Sequence, residues 1–216
     1  MSVDGADAER LVAAWERIEA WLQVHAQAST ALLRPPADEA DIAEAEAAMG
    51  VEFPATLKAW YRLHDGADED QAPDAVHAAG FLPARRTMLP LARLVGQYRT
   101  HTQDWERTAG IVPFARTPGD LWYGWYVDAR KNEPSFGNLG RWAVDGADEP
   151  YPWPSHGWPL PEWLSEIAAA LEQGRPMRRP DGTEEAGDRP ALYAGALTWV
   201  DPRDSRIDAV VLDGPR

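Results

Sequence analysis

The sequence predicts an α+β domain: an antiparallel sheet covered by N-terminal helices and a C-terminal helix, with an added C-terminal hairpin. Three observations carry that expectation. Two stretches near the N-terminus space their apolar residues as helices do. The middle of the chain holds short runs rich in aromatic and β-branched residues, joined by links too short for a crossover helix, so successive strands must pair antiparallel. A last amphipathic run opens at Leu160 and closes at Gly174.

Taken in order, Asp7 to Gln27 reads as one long helix, with Leu11, Trp15, Ile18, Leu22 and His25 on the side that docks on the body of the domain. The stretch from Pro35 to Gly66 has the most fully specified local structure: two short helices joined by a tight turn. Asp38 is placed to cap the first helix by accepting from a backbone N–H three residues on. Ile42, Ala45 and Met49 form its apolar stripe, and Gly50 supplies the left-handed residue that ends it, with Val51 over the last turn. Pro54 suits the first turn of the second helix, whose apolar face carries Leu57, Trp60, Tyr61 and His64 until Asp65-Gly66 turns the chain. The loop that follows holds Asp65, Asp68, Glu69, Asp70 and Asp74, with no Lys or Arg as far as Gly80, and its spacing does not match the alternating ligands of a calcium loop.

Leu82 to Pro90 reads as a connector with a short strand, and Leu91 to Arg107 as an irregular helix. Ile111-Val112-Pro113-Phe114 is a short strand whose proline, lacking an amide, points to an edge or a bulge. In the strand Leu121 to Val127, alternation puts Leu121, Tyr123, Trp125 and Val127 on one face and Trp122 and Tyr126 on the other. Leu139 to Val144 is the next strand. Pro150 to Pro159 is expected to be a rigid loop without regular structure. Leu160 to Gln173 is the closing helix, with Trp163, Ile167, Ala170 and Leu171 inward. Beyond it, Arg175 to Arg189 reads as a polar linker. Leu192 to Val200 and Ile207 to Leu212, split by Asp201-Pro202-Arg203-Asp204, read as the two strands of a hairpin. Residues 1–174 are thus expected to form the domain, and residues 175–216 a linker and hairpin extension packed on it.

A chain of 216 residues is long enough to bury one core without staples, and without cysteine it has neither disulfides nor thiol chemistry. It begins MSVDGADAER, unlike the basic-then-apolar run of a signal peptide, and no apolar stretch approaches bilayer-spanning length, so a soluble cytoplasmic protein is expected. The net charge of −14 is unevenly distributed: residues 1–81 hold sixteen acids and five bases, net −11, which leaves −3 for the rest. Such a field disfavours nucleic acid and anionic membranes and favours a partner protein with a basic surface.

The run Ile42 to Gly66 joins an alanine- and glutamate-rich helix to Met-Gly, Phe-Pro, Leu, Trp-Tyr and a closing Asp-Gly. It resembles the SUKH superfamily, which holds fungal cell-wall-synthesis regulators of the SMI/KNR type and many bacterial immunity proteins. The resemblance continues through Leu89-Pro90-Leu91, Gly119 to Asp128, Gly140 to Asp145 and Leu160-Pro161-Glu162-Trp163-Leu164, covering about Leu11 to Gly174. At the turn, Asp65 stands where the family usually places Asn, with the same turn chemistry. What the resemblance implies is a SUKH-like fold and a non-enzymatic protein-binding role: a bacterial immunity protein that neutralises a cognate toxin, often a basic nuclease. The alternative it implies is a regulator or scaffold of cell-envelope metabolism.

No catalytic constellation is legible. His25, His64, His77, His101 and His156 have neither HExxH nor HxH spacing, no serine sits in GxSxG, and Gly137-Asn138-Leu139-Gly140 lacks the lysine of a phosphate-binding loop. No cofactor or metal is expected. Two features stand above background as partner-binding candidates. One is the acidic group Asp65, Asp68, Glu69, Asp70 and Asp74; the other is the aromatic group Trp122, Tyr126, Trp153 and Trp158, joined by Tyr151, whose rings offer rigid contact area to a protein or a sugar wherever they are left uncovered.

Overall fold

A computed structural model describes residues 3–70, 78–120, 122–152, 155–185, 189–203 and 208–212. The first helix, α1 (Val3–His25), packs on two later helices and buries Leu11, Trp15, Ile18 and Leu22. It stops short of the expected Gln27 because the backbone leaves helical space at Ala26, where φ is −136°, before the short α2 (Gln27–Thr30). Ala26 is buried in the core and His25 is left exposed.

α3 (Glu39–Met49) is built as its residues dictate. The Asp38 carboxylate accepts from the Asp41 N–H at 2.9 Å, Ile42, Ala45 and Met49 are buried, and Gly50 closes the helix at φ 66°. α4 (Ala55–Tyr61) starts one residue after Pro54, which sits at the cap position and not inside the first turn. At the end of this hairpin, Asp65 and Gly66 form a junction. The Asp65 carboxylate accepts from the Leu91 N–H at 2.8 Å and from Arg34 Nε at 3.2 Å. It thereby caps α5 (Leu91–Arg99), whose own cap residue, Pro90, offers no side-chain acceptor. Gly66 has φ 70°, and a Cβ there would lie 2.5 Å from the Pro90 nitrogen and 2.7 Å from the Met88 oxygen, so only glycine fits. The buried Tyr61 hydroxyl donates to the Leu89 carbonyl at 2.9 Å across the same seam.

The strands are β1 (Thr87–Met88), β2 (Ile111–Arg116), β3 (Tyr123–Asp128), β4 (Asn138–Ala143), β5 (Glu149–Pro150) and β6 (Trp158–Pro159), all antiparallel. They run β1-β2-β3-β4-β5, with β6 also on β4. The register of β2 shifts between Val112 and Ala115, a bulge that accommodates Pro113. The stretch from Pro150 to Pro159 is more regular than its composition suggests, since both of its ends pair with β4. The helix-side face of the sheet carries Trp125, Val127 and Leu139 into one core under α1, α4 and α6 (Leu160–Gln173). Rings dominate that core: Trp15 to Trp60 centroids are 5.3 Å apart, Trp60 to Phe114 5.5 Å and Trp125 to Trp163 5.9 Å.

On the opposite face, Tyr126 lies across Gly140 and Trp142 across Gly124, each in register, and no Cβ would fit beneath either ring. With Ile111 they form a second cluster, covered by Trp105 and by His101 from the π-helical turn Thr100–Asp104. After α6 the chain forms β7 (Arg189–Tyr193), β8 (Ala196–Val200) and β9 (Val210–Val211), in the order β8-β7-β9. The expected single strand Leu192 to Val200 is in fact interrupted by a two-residue turn, because Ala194 and Gly195 both take positive φ, 49° and 78°. Met177, Leu197 and Trp199 join the main core, and Trp199 Nε1 donates to the Phe81 carbonyl at 2.8 Å.

Two measurements test this packing. Gly50 and Gly66 share a left-handed φ, but nothing lies within 4 Å of a Cβ at Gly50. Urea unfolding should therefore show Gly50→Ala costing about 1 kcal/mol, the price of the backbone conformation alone, and Gly66→Ala costing at least about 3 kcal/mol. The second concerns His101, whose ring nitrogens have no hydrogen-bond partner and whose pKa is pushed down to about 3 by burial and by nearby Arg107. The unfolded chain takes up this proton nearer 6.5, so stability is full above that pH and falls as pH drops through the window between the two values. Between pH 7.5 and pH 5 the loss should be about 2 kcal/mol, and His101→Phe should remove it.

Candidate functional site

The acidic loop comes first, because its sequence presents it as a surface of unopposed charge. Its backbone turn brings arginines from elsewhere in the chain. Glu69, with its side chain only 5% exposed, accepts from Arg116 Nη2 at 2.5 Å, from Arg93, and from the Gly119 N–H at 3.3 Å. Arg93 also reaches Asp70. Asp68 accepts from the Asp70 N–H at 3.0 Å, and Asp65 caps α5 beside Arg34. Asp74 lies outside the described residues. Asp65 and Glu69 therefore serve the fold, and the loop offers Asp68 and Asp70 outward.

The aromatic group divides more sharply. Tyr126 and Trp158 are 3% and 4% exposed, so both pack in the interior and present no face to a partner. Tyr151 is buried as well, and Trp153 lies outside the described residues. Trp122 is 55% exposed, and so, at 45%, is its neighbour Tyr123, which alternation alone turns toward the covered face. Tyr123 pairs with Ala143, too small to cover it, at the end of β3. Its ring lines an open cleft of about 530 Å³ whose floor includes Trp125 and Trp163. The charged residues lining it are Arg86, Arg141 and Glu149, with Arg179 and Glu185 from the segment after α6. The Arg141 guanidinium lies 4.8 Å from the Tyr151 ring centroid, and among the described residues neither Arg141 nor Arg179 has a carboxylate within ion-pair distance.

Residues 36–168 match the SMI1 / KNR4 family (SUKH-1). The chain belongs to that family. No curated protein matches the chain. Membership supports a protein-binding or immunity-type domain in general. The SUKH-1 match takes in α3 to α5 and the six-stranded sheet, while α1 and the segment carrying Arg179 fall outside it.

Elsewhere in this SUKH-1 domain, buried ionisable side chains act as struts. Asp128 accepts from the Arg130 N–H and Nε, both at 2.9 Å, and from Ser135 Oγ at 2.6 Å. Burial works to raise its pKa, and these bonds outweigh it and hold the carboxyl below its ordinary value. Glu166 accepts from Arg175 Nη2 at 3.0 Å and from the Arg178 N–H at 2.6 Å. Among the described residues, no three His, Asp or Glu side chains gather as a metal site, and no helix is long and apolar enough to cross a membrane.

The Glu69 arrangement makes a contrast that denaturation can read. Removing Glu69 as Ala leaves Arg93 and Arg116 facing each other without their shared carboxylate and should cost about 3 kcal/mol. Asp70→Asn, at a largely exposed pair, should cost less than about 1 kcal/mol.

Proposed function

We propose that this SUKH-1 protein is a non-enzymatic binding protein of the immunity type, which neutralises a cognate toxin by covering part of its surface. The observation that carries the reading is the pair Trp122 and Tyr123, half-exposed at the end of β3 beside an open cleft, in a chain that buries most of its other rings. Large rigid rings of this kind supply interface hot spots at low entropic cost. A stable complex needs about 800 Å² from each partner, within reach of the cleft and its rim.

The partner suggested by the charge distribution has a basic surface. Glu9 and Glu16 on α1 and Glu44 on α3 meet no cation at ion-pair distance among the described residues, so much of the N-terminal charge faces outward and can steer such a protein. Three carboxylates, Glu69, Asp128 and Glu166, are each held by arginine within the fold, which supports a structural role for them; among the described residues Asp148 is not so held, and burial pushes its carboxyl above the ordinary value.

The test uses a candidate toxin domain, sought among the products of the neighbouring genes. In titration calorimetry, the double variant Trp122→Ala with Tyr123→Ala should bind it at least about 100-fold more weakly than the parent chain. Co-expression should no longer protect cells, while the thermal midpoint stays within roughly 2 °C because both rings are exposed. Undiminished affinity and protection would contradict the proposal. Titration of Trp122 fluorescence by cell-wall oligosaccharides, with no response to the toxin domain, would instead favour the regulator or scaffold reading, in which the same rings stack on glycan.

A further inference from the structure

The cleft beside Tyr123 is assembled from two sources. Most of its lining comes from the region that matches the family, whereas Arg179 and Glu185 come from the segment after α6, outside the match. That segment is fixed in place. Met177 is buried in the main core, Glu166 accepts from the Arg178 N–H at 2.6 Å, and the Arg179 N–H donates to the Thr183 carbonyl at 2.8 Å while Gly182 donates back to Arg179 at 2.8 Å. Arg179 therefore stands at the neck of a closed turn and lines the cleft. Across from it, Arg141 is steadied on the Tyr151 ring. Glu149 opposes Arg141 in strand register but makes no ion pair with it.

We infer that the segment after α6 sets which partner this domain accepts: Arg179, with Arg141, selects an acidic side chain of the partner, which enters the cleft while an adjacent ring or apolar group packs on Tyr123. The inference rests on reading the chain as a binding protein and deepens it by naming the group recognised. Guanidinium forks match carboxylates bidentately, and among the described residues neither Arg141 nor Arg179 is engaged by a carboxylate at ion-pair distance, so both can receive one. The ligand is a protein carboxylate and not a polyanion, because a chain of net charge −14 repels a phosphate backbone. A protein that is basic overall yet presents one acidic side chain satisfies both the long-range field and the cleft.

The experiment measures fluorescence anisotropy of three labelled hexapeptides with the full chain, one rich in Glu and Trp, one in Lys and Trp, and one in Gln and Trp. The acidic peptide should bind at least about tenfold more tightly than the other two. Arg179→Glu should erase that preference, Arg179→Lys should keep part of it, and Arg203→Glu, an exposed charge outside the cleft, should leave it intact. An absence of preference, or a preference that survives Arg179→Glu, overturns the inference even if the Trp122 and Tyr123 double variant still loses the toxin. The converse, an acidic preference governed by Arg179 in a chain whose double variant binds the toxin normally, supports the cleft's selectivity and overturns the ring interface instead.

Discussion

The fold depends on the close backbone approach of Gly66 to the segment Met88–Pro90. Space there excludes even a methyl group, and the surrounding polar groups are matched to it: the Ala67 N–H donates to Met88, Tyr61 donates to Leu89, and the Asp65 carboxylate meets the first amide of α5. From the same seam, the Leu89 N–H donates to Phe114 in β2. One turn thus joins the helical hairpin, the start of α5 and the edge of the sheet. Because each of these groups is partly or wholly buried, losing one partner leaves another unsatisfied, and the seam holds as a unit.

The candidate site follows from where the cover of that sheet ends. α6 lays Trp163 against Trp125 and stops the helix-side core there, so Tyr123 at the strand's end has only Ala143 across from it. The opening is completed on one side by the segment after α6, which lies outside the family match. Parts outside the match also complete the interior, since Trp15 from α1 and Met177, Leu197 and Trp199 from the C-terminal part lie in the one main cluster. Elements outside the family match therefore stabilise the body of the protein and shape the surface that distinguishes it.

Much of this was legible where the physical signal is local. Asp38, Gly50 and Gly174 marked their helix ends because capping needs only a few neighbouring residues, and Pro113 announced its bulge because a missing amide cannot be hidden in a ladder. The fate of the acidic loop was not legible. Glu69 is neutralised by Arg93 and Arg116, which lie 24 and 47 residues away, and nothing in the loop's own composition shows that they return to it. Strand alternation grouped Tyr123 with Trp125 and Val127 on one face but could not tell that its neighbour would be an alanine at the sheet's limit. The turn at Ala194-Gly195 was hidden because it carries no asparagine or aspartate to mark it.

The central claim is that this SUKH-1 protein works by holding a partner protein against the rings and guanidinium groups around one cleft. Hydrogen–deuterium exchange of the chain, alone and with a candidate toxin domain, tests it most directly. The account predicts slowed exchange concentrated in residues 122–125, 141–149 and 178–185, with little change along α2 and β8. Protection confined to residues 66–70, or none on adding the toxin, would contradict it.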